Sequence, residues 1–469
     1  MGYHEETTKV RHDAATIYGV PALRYVEASR NSPGPGEADK MIQPLLDALT
    51  RPLTKQEQAR GRWAPVAPRI LFEGTLEDAE VFYNQTEPVP GMNNTPFAMY
   101  TDGLPVILPT EEKVAAMLKG TSHKPDEVIT LQRDVEEAGG GGQRAKRKKG
   151  DVVKYMPLMR TATVEQVAVN AVMAGCKPEY FPVVLAMAES GGGCADGRGL
   201  GGAYIMSGPI YKEIGMNVSY SRFGPGCPVN KSLGRVGALM YRNLGGFKDT
   251  ETAISVTTYY GNAVMNGGLI FAEYAEGLPQ GWKGLNEEMG FQKNDSVLMT
   301  FRPSAWNIGQ EHMPGVYRSL QRTGHGAVAR YLDVKGIPGP HNYMEFLTKD
   351  IWACREGAFT IVLVPQMAQD LANWGFKTKE QIYEWMWKRS FEPLGKYRMR
   401  GRPDEHTNGW MAIEKTSGKR WRELPDDYMV PAGGNDFKDY LIIVADGEET
   451  CCDRFGGGRG AGYSIDNWR

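Results

Sequence analysis

The chain has 469 residues, of which 41% are hydrophobic and 23% charged, and its formal net charge is −2. This length is enough for two or three domains, each with its own core. The near-neutral balance excludes a strongly basic nucleic-acid-binding surface, and no apolar run reaches the roughly 18 residues that a membrane span needs. We therefore expect no nucleic-acid partner and no membrane partner.

The cysteines and the amino terminus bear on the compartment. Six cysteines scattered over 469 residues do not make a disulfide framework. The first residues, MGYHEETTKVRHD, contain no apolar segment typical of a secretion signal. We expect a reducing, cytoplasmic location.

The organisation changes near residue 100. Residues 1–100 are rich in proline and polar groups, and we interpret them as an N-terminal arm that wraps a neighbouring subunit. From residue 101 strand and helix patterns alternate: Leu104–Pro109 (LPVILP) predicts a short strand, and Thr110 caps a helix that Gly120 ends. This alternation predicts a multi-domain α/β fold, with mixed or parallel sheets covered by helices. The predicted domains are 101–350 and 351–469.

A glycine run followed by basic residues interrupts this pattern at 139–150 (GGGGQRAKRKKG). One interpretation is a nucleic-acid- or phosphate-binding segment. The other is a solvated surface loop, which we favour because no aromatic residues are interleaved to stack on bases.

Cys176 is the first candidate reactive residue. Thr163 caps a helix that ends at Gly175, Cys176 follows, and Pro178 suits the first turn of the next helix. A thiol near a helix N-terminus can have a lowered pKa, which would make Cys176 a nucleophile or redox group. The alternative is a buried small hydrophobic residue.

A candidate anion site follows a glycine-rich segment. Residues 191–202 (GGGCADGRGLGG) lack the spacing of nucleotide-binding loops. The next turn, FGPGCPVNKSLGR, leads into a helix predicted from about Val229 to Asn243, whose first amides suit a carboxylate or phosphate. The alternative is an ordinary capped helix with solvated cations. The candidate anion-binding residues are Cys227, Asn230, Lys231, Ser232 and Arg235.

Carboxylates and histidines supply a second kind of chemistry. Glu273 and Glu276 follow an apolar strand, and GLNEEMGF adds Glu287 and Glu288. Carboxylates in pairs can do general acid–base work if one is buried with a raised pKa; the alternative is that they are solvated. His312, His325 and His341 lie in loop-like sequence and are candidate metal ligands, although their spacing matches no local zinc motif. A metal ion is the one cofactor that the residues suggest.

The C-terminal part returns to α/β patterning. FTIVLVP and DYLIIVADG predict buried strands, and MAQDLANWGF and KTKEQIYEWMWKRSF predict helices between them. Adjacent Cys451 and Cys452 lie between the last strand and a glycine-rich tail. They are a candidate reactive thiol pair or metal site, since neighbouring thiols do not easily close an unstrained disulfide.

Five segments follow one another over about residues 100 to 395. They are YTDGLPVILPTEEKVAAMLKGTSHKPDEVI, TVEQVAVNAVMAGCKPEYFPVVLA, GPIYKEIGMNVSYSRFGPG, FAEYAE with EEMGF, and LANWGFKTKEQIYEWMWKRSFEPLGK. Together they resemble a bacterial family, the long subunit or domain associated with UGSC-motif (seleno)proteins. The resemblance implies a substrate-binding subunit whose partner is a redox protein. The chain departs from the family at the basic loop 139–150 and at Gln366–Met367, where members tend to carry a histidine, and its CCDRFGGGRGAG tail looks individual to this protein.

Three functions follow from these observations. The first is an enzyme or enzyme subunit whose reaction the resemblance implies, at a carbon–heteroatom bond of a small organic acid or xenobiotic. It would hold the anionic substrate at the Cys227–Arg235 helix start and use Cys176 or the Cys451/Cys452 pair as the reactive sulfur. The second is a metal-dependent lyase or hydrolase that uses the three histidines with Glu273. The third is a non-catalytic structural subunit. All three are compatible with a homo- or hetero-oligomer, including one with a UGSC-type redox subunit.

Overall fold

The computed structural model describes most of the chain, and the fold is given for those residues. They are 22, 24, 26, 35–59, 68–89, 94–138, 144–155, 160–191, 203–220, 222, 226–246, 269–301, 315–316, 344, 359–395, 417–420, 423–431, 436–447, 451–456 and 459–469. Within these ranges, no helix combines the length and the apolar character needed to cross a bilayer.

Helices of eight or more residues are numbered in chain order. They are α1 (Pro35–Thr50), α2 (Leu76–Tyr83), α3 (Glu111–Leu118), α4 (Val164–Met173), α5 (Phe181–Glu189), α6 (Pro228–Gly245), α7 (Pro365–Asn373) and α8 (Lys379–Arg389). The threonine side chains that precede α3, α4 and α8 each accept a hydrogen bond from the backbone N–H three residues on. This contact satisfies one of the free donors of a helix start, as the sequence predicts for Thr110 and Thr163.

The strands are numbered in the same way. They are β1 (Thr86–Val89), β2 (Thr95–Ala98), β3 (Val135–Ala138), β4 (Arg144–Arg147), β5 (Ala203–Ser207), β6 (Leu269–Ala272), β7 (Val297–Phe301), β8 (Gly315–Val316), β9 (Phe359–Leu363), β10 (Phe391–Pro393), β11 (Met429–Pro431), β12 (Leu441–Val444), β13 (Cys451–Gly456) and β14 (Gly462–Ser464). Two sheets have four strands each. The first has the order β14-β7-β5-β6, and the second has the order β12-β9-β13-β8.

The two sheets repeat one topology. Each has a parallel pair, β5 with β6 and β9 with β12, and an antiparallel neighbour on the other side, β7 or β13. The register also repeats, because the Glu273 N–H donates to the carbonyl of Met206 and the Ala445 N–H donates to the carbonyl of Leu363, both at 2.8 Å. Glu273 and Ala445 are therefore equivalent positions.

The edge strands are exchanged between the two halves. β8 follows β7 in the chain but pairs with β13 of the second sheet, and β14 follows β13 but pairs with β7 of the first sheet. The predicted domain boundary at 350 thus separates strands that the sheets join.

The sheets and helices form four layers. Side chains alternate between the faces of each strand, so each sheet buries two apolar faces. The inner faces pack on each other through Ile205, Leu269, Phe271, Met299, Val362, Leu441 and Ile443. Helices α4, α5 and α6 share a core with the outer face of the first sheet, and α7 and α8 share one with the outer face of the second. The protein has an α/β fold with mixed sheets covered by helices, as the sequence predicts.

The predicted strand at Leu104–Pro109 is wrong. These residues form no strand, although the Ile107 N–H donates to the carbonyl of Met173 at 3.2 Å. Proline has no N–H for a sheet ladder, and Pro105 and Pro109 bracket the segment, so pairing along its length is excluded. The apolar run instead extends across the end of α4.

The predicted arm and the basic loop contain regular structure. Helices α1 and α2 and the β1–β2 hairpin lie within residues 35–98. The basic segment forms β4, which pairs with β3 in an antiparallel hairpin.

Candidate functional site

A cavity of about 680 Å³ is lined in part by Lys379, whose Nζ bonds Glu273 directly after the carboxyl end of β6. Five segments line it: residues 133–136, residues between Gly281 and Met289, the start of α8, Phe437 with Lys438, and Arg459–Gly462. In α/β sheets, ligands commonly bind outside the carboxyl ends of parallel strands. The position and size of the cavity are therefore those of a small-molecule site.

Lys379 lies on the lining and is buried. Its Nζ donates hydrogen bonds to Oε1 of Glu273 at 2.8 Å and to Oε2 of Glu288 at 3.2 Å. The lysine side chain is 2% exposed and that of Glu273 is 0% exposed. An ammonium group has three N–H donors, and the third of Lys379 has no hydrogen-bond partner among the described residues.

The protonation state of Lys379 follows from its neighbours. Burial alone lowers its pKa, but the charges of Glu273 and Glu288 and their hydrogen bonds raise it, and the net shift is upward. The side chain is therefore an ammonium ion at neutral pH.

Glu273 is held in place by residues of the first sheet and its connections. It directly follows β6, and its Oε2 accepts hydrogen bonds from the Ser207 hydroxyl at 3.0 Å and the Leu285 N–H at 2.5 Å. Ser207 ends the parallel neighbour β5, which is why the two side chains meet. In the second sheet the position equivalent to Glu273 is Ala445, so the second sheet has no carboxylate at that position.

Glu288 connects the same lysine to two further groups. Its Oε1 accepts hydrogen bonds from the Tyr383 hydroxyl and from Nη2 of Arg459, both at 3.1 Å. Burial, and then the charge of Glu288, raises the pKa of Tyr383 well above its ordinary value, so the phenol stays protonated. The Nε of Arg459 is buried and has no hydrogen-bond partner among the described residues. We call Lys379, Glu273, Glu288, Tyr383 and Arg459 the Lys379 cluster.

Sequence reasoning named two members of this cluster among its paired carboxylates: Glu273, which it selected as catalytic, and Glu288. Glu273 was selected with Glu276, but Glu276 instead bonds Tyr211 and Lys212 and is exposed. Lys379 was missed because it is 106 residues from Glu273 in the chain. One signal was present: Lys379 is the first residue of α8, where the helix dipole disfavours a cation unless acids offset it.

Cys176 is buried in the core on the outer side of the first sheet. Burial raises the pKa of its thiol, so the expected lowering is wrong. The physical reason is that the chain folds the thiol under apolar neighbours rather than presenting it at an open helix end. Cys176 therefore has the surroundings of a buried small hydrophobic residue, which is the alternative that the sequence left open.

The candidate anion-binding residues of α6 mostly bond to protein groups. Asn230 exchanges hydrogen bonds with the backbone of Asn217, and the Ser232 hydroxyl donates to the carbonyl of Gly175. Arg235 makes two bonds to Asp102, at 2.9 and 2.8 Å. Lys231 is exposed, and Cys227 precedes the first helical residue. Asn230, Ser232 and Arg235 hold segments of the chain together and do not converge on an open site.

The remaining candidates lie elsewhere. Cys451 and Cys452 begin β13, with Cys452 opposite Leu363, and so lie in the second sheet, in a different layer from Cys176. His312, His325 and His341 are outside the described residues. Among the residues that are described, no group of three His, Cys, Asp or Glu side chains is placed to hold a metal ion.

Comparison with family models found none that matches this chain, and comparisons with curated proteins and with solved structures also found no match.

Proposed function

We propose that the protein is an enzyme, or the substrate-binding subunit of an enzyme, that acts on a small organic acid in the cavity that Lys379 lines. The observation that carries this proposal is the buried ammonium group of Lys379, a residue of the cavity lining whose third N–H donor has no hydrogen-bond partner among the described residues. A charge-assisted hydrogen bond to a carboxylate oxygen is the interaction that best satisfies such a donor. Arg459, whose Nε has no hydrogen-bond partner in the described part of the chain, adds a second cation on the same lining.

The protonated state of Lys379 favours a particular kind of chemistry. An ammonium ion fixed by Glu273 and Glu288 can stabilise negative charge on a substrate oxygen or donate a proton to a departing heteroatom. A Schiff base would need the neutral amine, which the two carboxylates disfavour. We therefore propose that Lys379 uses its remaining N–H donor to bind and orient the acid for cleavage of a carbon–heteroatom bond, and that the reacting group comes from a partner subunit, in place of the cysteine chemistry that the sequence suggested.

The wider setting also remains a proposal. Relationship to the family of subunits associated with UGSC-motif proteins, a cytoplasmic location and a redox partner all rest on the sequence. A redox partner would supply any reactive selenium or sulfur that this cavity lacks among its described lining residues.

Assembly with a neighbouring subunit is a second proposed role, and helix α1 supports it. Ile42, Leu46 and Leu49 recur at helical spacing and are 52%, 47% and 81% exposed. An apolar stripe of this kind is typical of a surface that packs on another chain. Light scattering should give a mass above that of one chain, and replacement of Leu46 and Leu49 by glutamate should lower it. A monomeric mass for the unaltered protein would contradict this role.

Ligand binding tests the main proposal. Succinate and benzoate would be titrated calorimetrically, each beside its neutral amide, into the unaltered protein and the double variant Lys379→Met/Glu273→Gln. This variant removes one cation and one carboxylate together, so no unpaired buried charge is left. A lost charge-assisted hydrogen bond of about 1.5–3 kcal/mol corresponds to roughly 10- to 100-fold weaker binding of the acid.

The matched control is Lys388→Met on the same helix, where Lys388 is exposed and pairs with Glu384. Its affinity for the acids should not change. Each acid that binds would then be replaced by its chloro, hydroxy or amino derivative. Release of chloride, loss of the hydroxy acid by dehydration, or release of ammonia would be followed. Equal binding of an acid and its amide, or no binding of either acid at millimolar concentration, would contradict the proposal.

A further inference from the structure

A second buried carboxyl group lies outside the Lys379 cluster. Glu189 is the last residue of α5 and is 0% exposed. Its Oε1 accepts a hydrogen bond from the Gln132 N–H at 2.8 Å, and its Oε2 accepts one from Nε1 of Trp468 at 2.7 Å. One side chain thus joins three segments that are far apart in the chain.

Two of these segments have a clear place in the fold: one adjoins the cavity lining, and the other is the C-terminal turn. Gln132 precedes Arg133, which lines the cavity and places its guanidinium 4.0 Å from the centre of the Phe291 ring. Trp468 is fully buried in the C-terminal turn Asp466–Trp468, and its carbonyl accepts a hydrogen bond from the Thr121 hydroxyl. Glu189 therefore lies between the cavity wall and the C-terminal turn.

Neither hydrogen-bond donor to Glu189 is a cation, which is unusual for a buried carboxylate. Burial raises the pKa of Glu189 to about 7, against the opposing effects of the two hydrogen bonds and of the nearby charges of Arg147 and Arg133. Among the described residues, further titratable neighbours are Tyr155, whose hydroxyl donates to the carbonyl of Ala188, and His123, whose ring centre lies 4.6 Å from that of Trp468 with the rings tilted by 40°.

We propose that Glu189 is a proton-dependent positioning residue, which holds the cavity wall at Gln132–Arg133 and the C-terminal turn at Trp468 in one arrangement. As a carboxylate it accepts both hydrogen bonds as charge-assisted bonds. When a proton binds, one oxygen becomes a hydroxyl and a weaker acceptor, so one of the two attachments loosens. The proposal does not depend on which ligand the cavity binds.

The indole N–H of Trp468 reports this event directly. In protein labelled with ¹⁵N-tryptophan, its resonance would be assigned by its loss in Trp468→Phe and followed from pH 5.5 to 8.5. We expect a single transition centred near pH 7, with the resonance moving downfield as pH rises because the hydrogen bond to a carboxylate is stronger. The transition should be absent in Glu189→Gln, which cannot ionise.

Replacement of His123 by glutamine provides the control. His123 is a second titratable group in contact with the indole. Because the proposal assigns the transition to Glu189, the transition should persist in His123→Gln. If the unaltered protein shows no transition, or if the transition disappears in His123→Gln, the proposal is wrong. The measurements on the unaltered protein and on His123→Gln test the proposal even if Glu189→Gln does not fold. A transition that persists in folded Glu189→Gln would overturn it as well.

Discussion

The Nζ of Lys379 lies 2.8 Å from Oε1 of Glu273, and both side chains are almost completely buried. The pair joins the first sheet, through the end of β6, to the helix layer of the second sheet, through the start of α8. Because the two sheets have the same topology, the position equivalent to Glu273 exists again as Ala445, yet only the first half carries the carboxylate. The site is thus an asymmetric addition to a repeated framework.

A double-mutant cycle should show strong coupling between these two residues. Lys379→Met and Glu273→Gln each leave a buried charge without its best partner, so each should lower the free energy of unfolding by about 3–5 kcal/mol. The double variant should lose much less than the sum of the two. Urea unfolding of the four proteins measures this. Additive losses would mean that the two charges do not interact.

Thiol labelling should distinguish Cys176 from Cys227, the two cysteines whose burial the structure describes. Cys176 is buried, and burial raises its pKa, so little thiolate is present and reagent reaches it slowly. Cys227 is partly exposed and should react first. Mass spectrometry of native protein treated with iodoacetamide at pH 8, with Cys227→Ser as the control, gives the order. Labelling of Cys176 as fast as Cys227 would restore the nucleophile hypothesis.

Local patterns in the sequence predicted much of the fold. The threonine caps at Thr110 and Thr163, the strand at Phe359 and the helix that begins near Val229 all follow from signals within a few residues, and the structure confirms them. The exception is Leu104–Pro109, where apolar composition suggested a strand but its prolines remove the donors that pairing requires.

The site was less predictable because its members are distant in the chain. The carboxylate of Glu273 follows a recognisable strand. Its partner Lys379, by contrast, has the sequence context of a solvated lysine, and only the fold brings it into contact with Glu273 and Glu288. Distance in the chain also separates Arg235 from its partner. Its position near a helix start suggested a free cation, whereas its partner Asp102 is 133 residues earlier. Sequence spacing does not report such pairings.

Replacement of Arg235 by alanine should loosen the segment before α3. Arg235 makes two bonds to Asp102 and also donates to the carbonyls of Leu104 and Pro105, at 3.2 and 2.8 Å. Loss of these charge-assisted contacts should lower the free energy of unfolding by about 1.5–3 kcal/mol. It should also increase proteolytic cleavage within residues 102–105, while leaving binding of succinate unchanged.

Lys231→Ala is the matched control for that experiment, since Lys231 is an exposed cation on the same helix. It should change neither cleavage nor stability. If Arg235→Ala instead weakens succinate binding with no change in cleavage, the anion-site hypothesis for α6 is correct.

Glu189 should make the stability of the protein depend on pH near neutrality. Its pKa is raised from an ordinary 4.5 to about 7, because the unfavourable burial of a charge outweighs the stronger hydrogen bonds that the carboxylate accepts, so the folded state binds the proton more tightly than the unfolded state. The resulting stabilisation is complete below pH 4.5 and is lost as pH rises through 7. The shift corresponds to about 3 kcal/mol in the free energy of unfolding.

The comparison with Glu189→Gln isolates this contribution from those of other groups. Urea unfolding of both proteins would be measured at several values between pH 4.5 and 8. The free energy of unfolding of the unaltered protein, less that of the variant, should fall by about 3 kcal/mol over this range. A constant difference would mean that the carboxyl does not titrate there, because the glutamine side chain carries no ionisable proton.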